Sequence, residues 1–109
     1  MKISKVLSML GIAAKSGNIA SGEFSTENAV RGGKAFLVVL ANDASDNTKK
    51  KFQNMCTFYE VPIMIYCEKE LLGHCIGKEF RASLAVTNEK LANAVLEKYE
   101  AELKTAEVR

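Results

Sequence analysis

The chain has 109 residues, 48% hydrophobic and 26% charged, which is the size and composition of one globular domain around a single core. No unbroken apolar run approaches the roughly 20 residues of a membrane span, so a soluble, untargeted, cytoplasmic protein is expected. The net charge is only +2, yet residues 1–54 carry eight Lys and Arg against four Asp and Glu, and residues 55–109 seven against nine. That asymmetry places any phosphate-facing surface ahead of the closing stretch that starts at Asn88.

Ile3, Val6, Leu7, Leu10, Ala13 and Ala14 recur at three- and four-residue steps, which predicts an amphipathic helix stopped at Gly17 by a left-handed cap. A short extended piece, Asn18 to Ser21, leads through Gly22 to a second helix over Glu23 to Arg31, ended by Gly32-Gly33. Ala35 to Ala41 is continuously apolar and rich in β-branched residues, the pattern of a strand buried on both faces. Asn42-Asp43-Ala44-Ser45 supplies turn chemistry, with Ser45 or Asp46 placed to cap the next helix. In that helix Thr48, Phe52, Met55, Cys56 and Tyr59 form one stripe, leaving Lys49, Lys50, Lys51 and Gln53 outside it.

Val61 to Tyr66 reads as a second buried strand entered through Pro62, Glu68 to Ile76 as a short helix stopped by Gly77, and Ala82 to Val86 as a third strong strand. Asn88 starts a final helix with Leu91, Ala94, Val95 and Leu96 as its apolar part. Residues 1–99 are thus expected to form a single domain and residues 100–109 a charged, frayed tail. Strands alternating with helices predict an α/β fold, a three-layer α/β/α sandwich around a mixed, mostly parallel sheet of about four strands.

Several chemistries find no support. There is no G-x-G-x-x-G after a strand, no G-x-x-x-x-G-K-[ST] loop and no G-x-S-x-G elbow, and the chain has one histidine. Cys56, Cys67 and Cys75 are spaced as neither a disulfide framework nor a metal pair, so reduced thiols are expected. His74 and Cys75 are adjacent and so point in different directions on a helix, and no metal or nucleophile site is expected there. Asp43 stands where an α/β enzyme places a catalytic carboxylate, but its reading as a turn residue leading into the third helix is preferred. No enzyme, cofactor or metal is expected.

Three features point to RNA instead. In Ser21-Gly22-Glu23 a glycine ahead of a helix leaves N–H groups facing outward. Asn47-Thr48-Lys49-Lys50-Lys51 is either a phosphate surface or an ordinary solvated face. The segment Ile76-Gly77-Lys78-Glu79-Phe80-Arg81 mixes a glycine, two basic residues and an aromatic, as a site that stacks a splayed base would. Phe80 as plain core is the competing reading.

Arg31-Gly32-Gly33-Lys34-Ala35, Leu37 to Ser45, Asn47-Thr48-Lys49-Lys50, Tyr59-Glu60-Val61-Pro62 and Leu72-Gly73 through Ile76-Gly77-Lys78-Glu79, with Leu10 to Ala13 and Ser21-Gly22-Glu23, resemble the ribosomal L-seven-Ae family in its bacterial YlxQ-like branch. The resemblance spans about Val6 to Leu96. It implies a ribosomal L-thirty-e-like sandwich and binding to kink-turns, sharply bent RNA duplexes with tandem sheared G·A pairs. It also implies that the start of the second helix reads those pairs while the loop before the last strand covers an extruded base. The RNA-binding set is then Ser21, Gly22, Glu23, Phe24, Ser25, Asn28, Arg31 and Lys34, with Gly77, Lys78, Glu79, Phe80 and Arg81. The partner is ribosomal or kink-turn RNA, with neither membrane nor DNA expected. Members that bind kink-turns strongly carry Asn-Glu where Phe24 and Ser25 stand and a lysine at Asn28, so the readers here differ. A protein-interaction module that kept the fold, with Phe24 and Phe80 as anchors, is the alternative.

Overall fold

The Ser4 hydroxyl accepts from the Leu7 N–H at 3.2 Å, satisfying one of the donors that a helix start leaves bare. From that cap the computed structural model describes residues 4–108. The elements in chain order are α1 (Lys5–Lys15), β1 (Ile19–Ser21), α2 (Glu23–Arg31), β2 (Leu37–Leu40), α3 (Asp46–Tyr59), β3 (Ile63–Ile65), α4 (Lys69–Cys75), β4 (Ser83–Val86) and α5 (Glu89–Val108). Every expected helix and strand is present; β1 and β4 are one residue shorter than the runs that announced them, and β2 and β3 three residues shorter. Val6, Leu10 and Ala13 are buried on one face of α1, as their recurrence requires. Ile3, counted in the same stripe, lies outside the described residues.

The sheet has four strands in the order β1-β4-β2-β3. It is mixed, but the expectation of mostly parallel pairing is corrected: only β2 and β3 are parallel, while β4 is antiparallel to both β1 and β2. The cause lies in the connections. Helices α2 and α3 are crossovers, so β1, β2 and β3 point the same way. The seven residues of α4 span only about 10 Å at 1.5 Å per residue, and the chain re-enters the sheet at the end where β3 left it. Because β4 then slots between β1 and β2, one reversed strand makes both of its pairings antiparallel.

Alternation along the strands sorts two cores. Leu37, Val39, Leu84 and Val86 pack with Val6, Leu10, Leu72 and Val95 on the α1, α4 and α5 side. Val38, Leu40 and Ala85 pack with Ala29, Val30, Phe52 and Met55 on the α2 and α3 side. Burial of all four residues in both β2 and β4 reflects helices covering both faces. Tyr59, placed in the buried stripe of α3 from sequence, is 38% exposed because it sits at the helix end, against Phe58 at a ring separation of 4.9 Å.

The C-terminal boundary also moves. The helix does not end near Tyr99; α5 continues to Val108, and Glu102 accepts a hydrogen bond from the Tyr66 hydroxyl at 2.7 Å.

Candidate nucleic-acid interface

Since β1, β2 and β3 run in one direction, the helices that follow them all start at one end of the sheet. Three backbone bonds close that end: Gly22 N–H to the Ser83 carbonyl at 2.9 Å, Ala41 N–H to Ala82 at 2.9 Å, and Asn42 N–H to Cys67 at 2.6 Å. The start of α2 and the loop before β4, which are 60 residues apart at Ser21 and Arg81, are therefore neighbours. Arg81 joins them directly, its Nε donating to Ser21 Oγ at 3.2 Å.

Gly22 takes φ +91, a conformation that side chains rarely adopt, and offers no side-chain acceptor to the helix it precedes. The N–H groups of Glu23, Phe24 and Ser25 consequently lack an acceptor among the described residues, leaving the positive end of the helix open to solvent. Beyond them Phe24, Asn28 and Arg31 recur at four and three residues, and so share one face of α2. All three are exposed, Phe24 to 77%. Lys34 is exposed just past the far end of this helix, about 14 Å along from its start for nine residues.

The acidic residues of α2 are held in place. Lys51 reaches from α3 to Glu27 at 2.6 Å and to Glu23 at 3.3 Å, and Arg31 pairs with Glu27 at 3.0 Å. Hydrogen bonds from Lys51 and then Arg31 hold the Glu27 carboxyl below its ordinary range. The Glu27 bond likewise raises the Lys51 ammonium. These exposed pairs add little stability; what they do locally is neutralise carboxylates beside the open helix start. The three-lysine run accordingly divides. Lys51 is engaged with α2, Lys49 donates to the Asn42 carbonyl at 2.8 Å, and Lys50 is exposed with no ion-pair partner among the described residues.

The loop before β4 is fixed as firmly. Gly77 has φ +78, Lys78 N–H donates to the Gly73 carbonyl at 2.9 Å, and Arg81 N–H donates to Lys69 at 3.1 Å. A Cβ on Gly73 would lie 2.5 Å from the Glu79 carbonyl oxygen, so this close approach of helix and loop requires glycine. Phe80 is 59% exposed, and its reading as core is set aside. Lys78, Glu79 and Phe80 turn toward α4, whereas Arg81 turns toward Ser21.

Sequence reasoning missed two positioning groups. Asp43 is more than a turn residue: its Oδ1 accepts from the Lys69 N–H at 2.8 Å, capping α4, whose own N-cap Glu68 supplies no side-chain bond. Gly73 stood in the sequence as one of the residues carrying the family resemblance and as a glycine inside a helical pattern, itself a signal of close packing, but its positioning role was not read. His74 is exposed, while burial pushes the Cys75 thiol up to about 11 and the Cys67 thiol up to about 12, opposite to what a thiolate nucleophile needs. No group of three or more potential metal ligands occurs among the described residues, nor is any described helix long and apolar enough to cross a membrane.

Comparisons with known proteins agree with this architecture. The RNA-binding protein YlxQ of Bacillus subtilis (strain 168) is 39% identical over 88 residues, covering 81% of this chain and 88% of that protein. Its namesake from Enterococcus faecium is 38% identical over 74 residues, covering 68% and 72%. A structure of a protein of unknown function from Bacillus halodurans superposes with a TM-score of 0.87 at 32% identity, covering 90% of this chain and 99% of that one. The 15.5kD RNA binding protein of Giardia lamblia superposes with a TM-score of 0.74 at 25% identity, covering 85% and 80%. A family profile, that of the Ribosomal protein L7Ae/L30e/S12e/Gadd45 family, matches residues 4–96, and the chain belongs to that family.

Proposed function

We propose that the protein is a non-catalytic RNA binder that seats a sharply bent, kink-turn-like or ribosomal RNA on the start of α2, bounded by the loop before β4. One observation carries this reading: the uncapped N-terminus of α2 lies beside Arg81, with an exposed Phe24-Asn28-Arg31 face leading away from it. The printed descriptions of the YlxQ relatives and of the Giardia protein as RNA-binding support the ligand class.

The expected division of labour is physical. Backbone donors at Glu23, Phe24 and Ser25 meet base edges or phosphate, since a bent RNA exposes edges that an A-form groove hides. Phe24 stacks on an unpaired base in place of the polar readers of strong kink-turn binders. Arg31, Lys34, Lys50 and Arg81 neutralise the backbone around it, and Ser21 holds Arg81 in position.

The test is a titration of kink-turn RNA, an unkinked duplex of the same composition and ribosomal RNA fragments at defined salt. The bent RNA is expected to bind most tightly. Phe24→Ala is expected to cost about 1–3 kcal/mol of binding, the value of a stacked base, and Arg81→Glu to weaken the preferred RNA selectively. Equal affinity for every RNA with a steep salt slope would reduce the interaction to general electrostatic attraction.

A further inference from the structure

Behind the loop, on the side turned away from Ser21, α4 and the segment before β4 enclose a groove of about 590 Å³ to which no residue of α2 contributes. Its apolar walls are Leu71, 40% exposed, and Phe80, 59% exposed. Two large, exposed apolar side chains line this concave surface together, and its volume lies within the roughly 300–1,000 Å³ of sites that enclose a ligand.

The groove's charge selects what enters. Glu68, Glu70 and Glu79 line it against Lys78 and His74, and none of the three carboxylates is in an ion pair among the described residues. A phosphate entering here would meet uncompensated carboxylates, the opposite of the open helix start across the loop, so an RNA strand is disfavoured. Complementarity calls for a cationic partner. The walls are also pre-set: Gly73 brings α4 against Glu79 and Phe80, and the Lys78-to-Gly73 and Arg81-to-Lys69 bonds tie the loop to that helix. Binding therefore orders little of the protein, which lowers its cost.

We propose that this groove docks a basic protein segment carrying one leucine-sized or aromatic anchor, the anchor lying between Leu71 and Phe80 and flanking Lys or Arg side chains reaching Glu68, Glu70 and Glu79. A single loop then separates two ligands, RNA on the Ser21 side and a basic protein on the α4 side.

The experiment follows backbone amide signals of the isotope-labelled full chain during titration with a short peptide alternating lysine and leucine. Companion titrations use a glutamate-leucine peptide, a lysine-serine peptide and a single-stranded uridine oligonucleotide. Saturable shifts centred on Leu71, His74, Lys78 and Phe80 are expected with the lysine-leucine peptide alone. Leu71→Ser, and separately Glu70→Lys with Glu79→Lys, should each weaken it by about tenfold or more, while RNA binding at α2 is unchanged by Leu71→Ser. All of these positions are exposed, so the variants fold. Absence of saturable shifts, equal binding of the lysine-serine peptide, or the same signals moving with the oligonucleotide overturns the proposal.

Discussion

Asp43 caps a helix to which it does not belong, and that bond, relayed through Lys69, links the turn after β2 to the loop before β4. Its carboxylate takes the Lys69 N–H, and the Lys69 carbonyl in turn takes the Arg81 N–H. Removing an N-terminal cap acceptor costs about 1 kcal/mol, so Asp43→Ala is expected to lower the unfolding free energy by about that amount in a urea titration. Asp43→Asn, which keeps an acceptor oxygen, should lose much less, and an equal loss for both would show that charge rather than the cap matters. Legibility at this scale depends on sequence separation. The glycine before α2 and the left-handed stop at Gly77 were readable because glycine chemistry is local. The pairing of Lys51 with Glu23 bridges 28 residues and that of Asp43 with Lys69 bridges 26, distances over which charge and polarity carry no pairing information. Phe80 was ambiguous for a related reason: an aromatic at an element's edge reads alike whether it faces inward or outward, and only packing decides.

Elements were legible where hydrophobic period and stop signals agreed, as in α2, whose ends at Glu23 and Arg31 match Gly22 and Gly32 in the sequence. Pairing was not, because a strand's apolar pattern is the same whichever way its neighbour runs, and the reversal of β4 follows from a helix too short to cross the sheet. The end of α5 was misplaced because its last turns mix charged residues with scattered small and apolar ones and show no clear apolar stripe, and the tie that holds them there comes from another element. Tyr66, next after β3, shares its hydroxyl between Ser4 Oγ and Glu102 Oε2, each at 2.7 Å, and stacks edge-on against Tyr99 at 5.9 Å. One hydroxyl thus connects the start of α1 to the later part of α5. Tyr66→Phe keeps the ring contact and removes the bond, at about 0.5–1.5 kcal/mol for a hydrogen bond of this kind. Hydrogen exchange should then quicken in α5 beyond Tyr99 and at the start of α1, while amides of β2 and β4 exchange as before. Uniform acceleration across the sheet would mean that the bond stabilises the whole molecule rather than tying one helix down.

The molecule as a whole places its three thiols and one phenol where ionisation is resisted from both sides of the sheet. Burial raises Cys56 to about 11 on the α2 and α3 side. On the other side burial raises Cys75 to about 11, Cys67 to about 12 and Tyr66 to about 12, with the neighbouring Cys75 adding to the shift at Cys67. In the unfolded chain a thiol ionises near its ordinary value of 9.0. Between that pH and the folded values the native state binds more protons than the unfolded one, so stability must fall as pH rises through the window. The melting temperature, followed by circular dichroism in the presence of reductant, is expected to hold near neutral pH and to drop progressively above about pH 9. Lysine ionisation enters only higher, near 10.4, so the early part of the fall belongs to the thiols. Cys67→Ala removes the largest thiol shift and should flatten that early part, whereas a profile identical to the parent's would assign the alkaline loss to other groups.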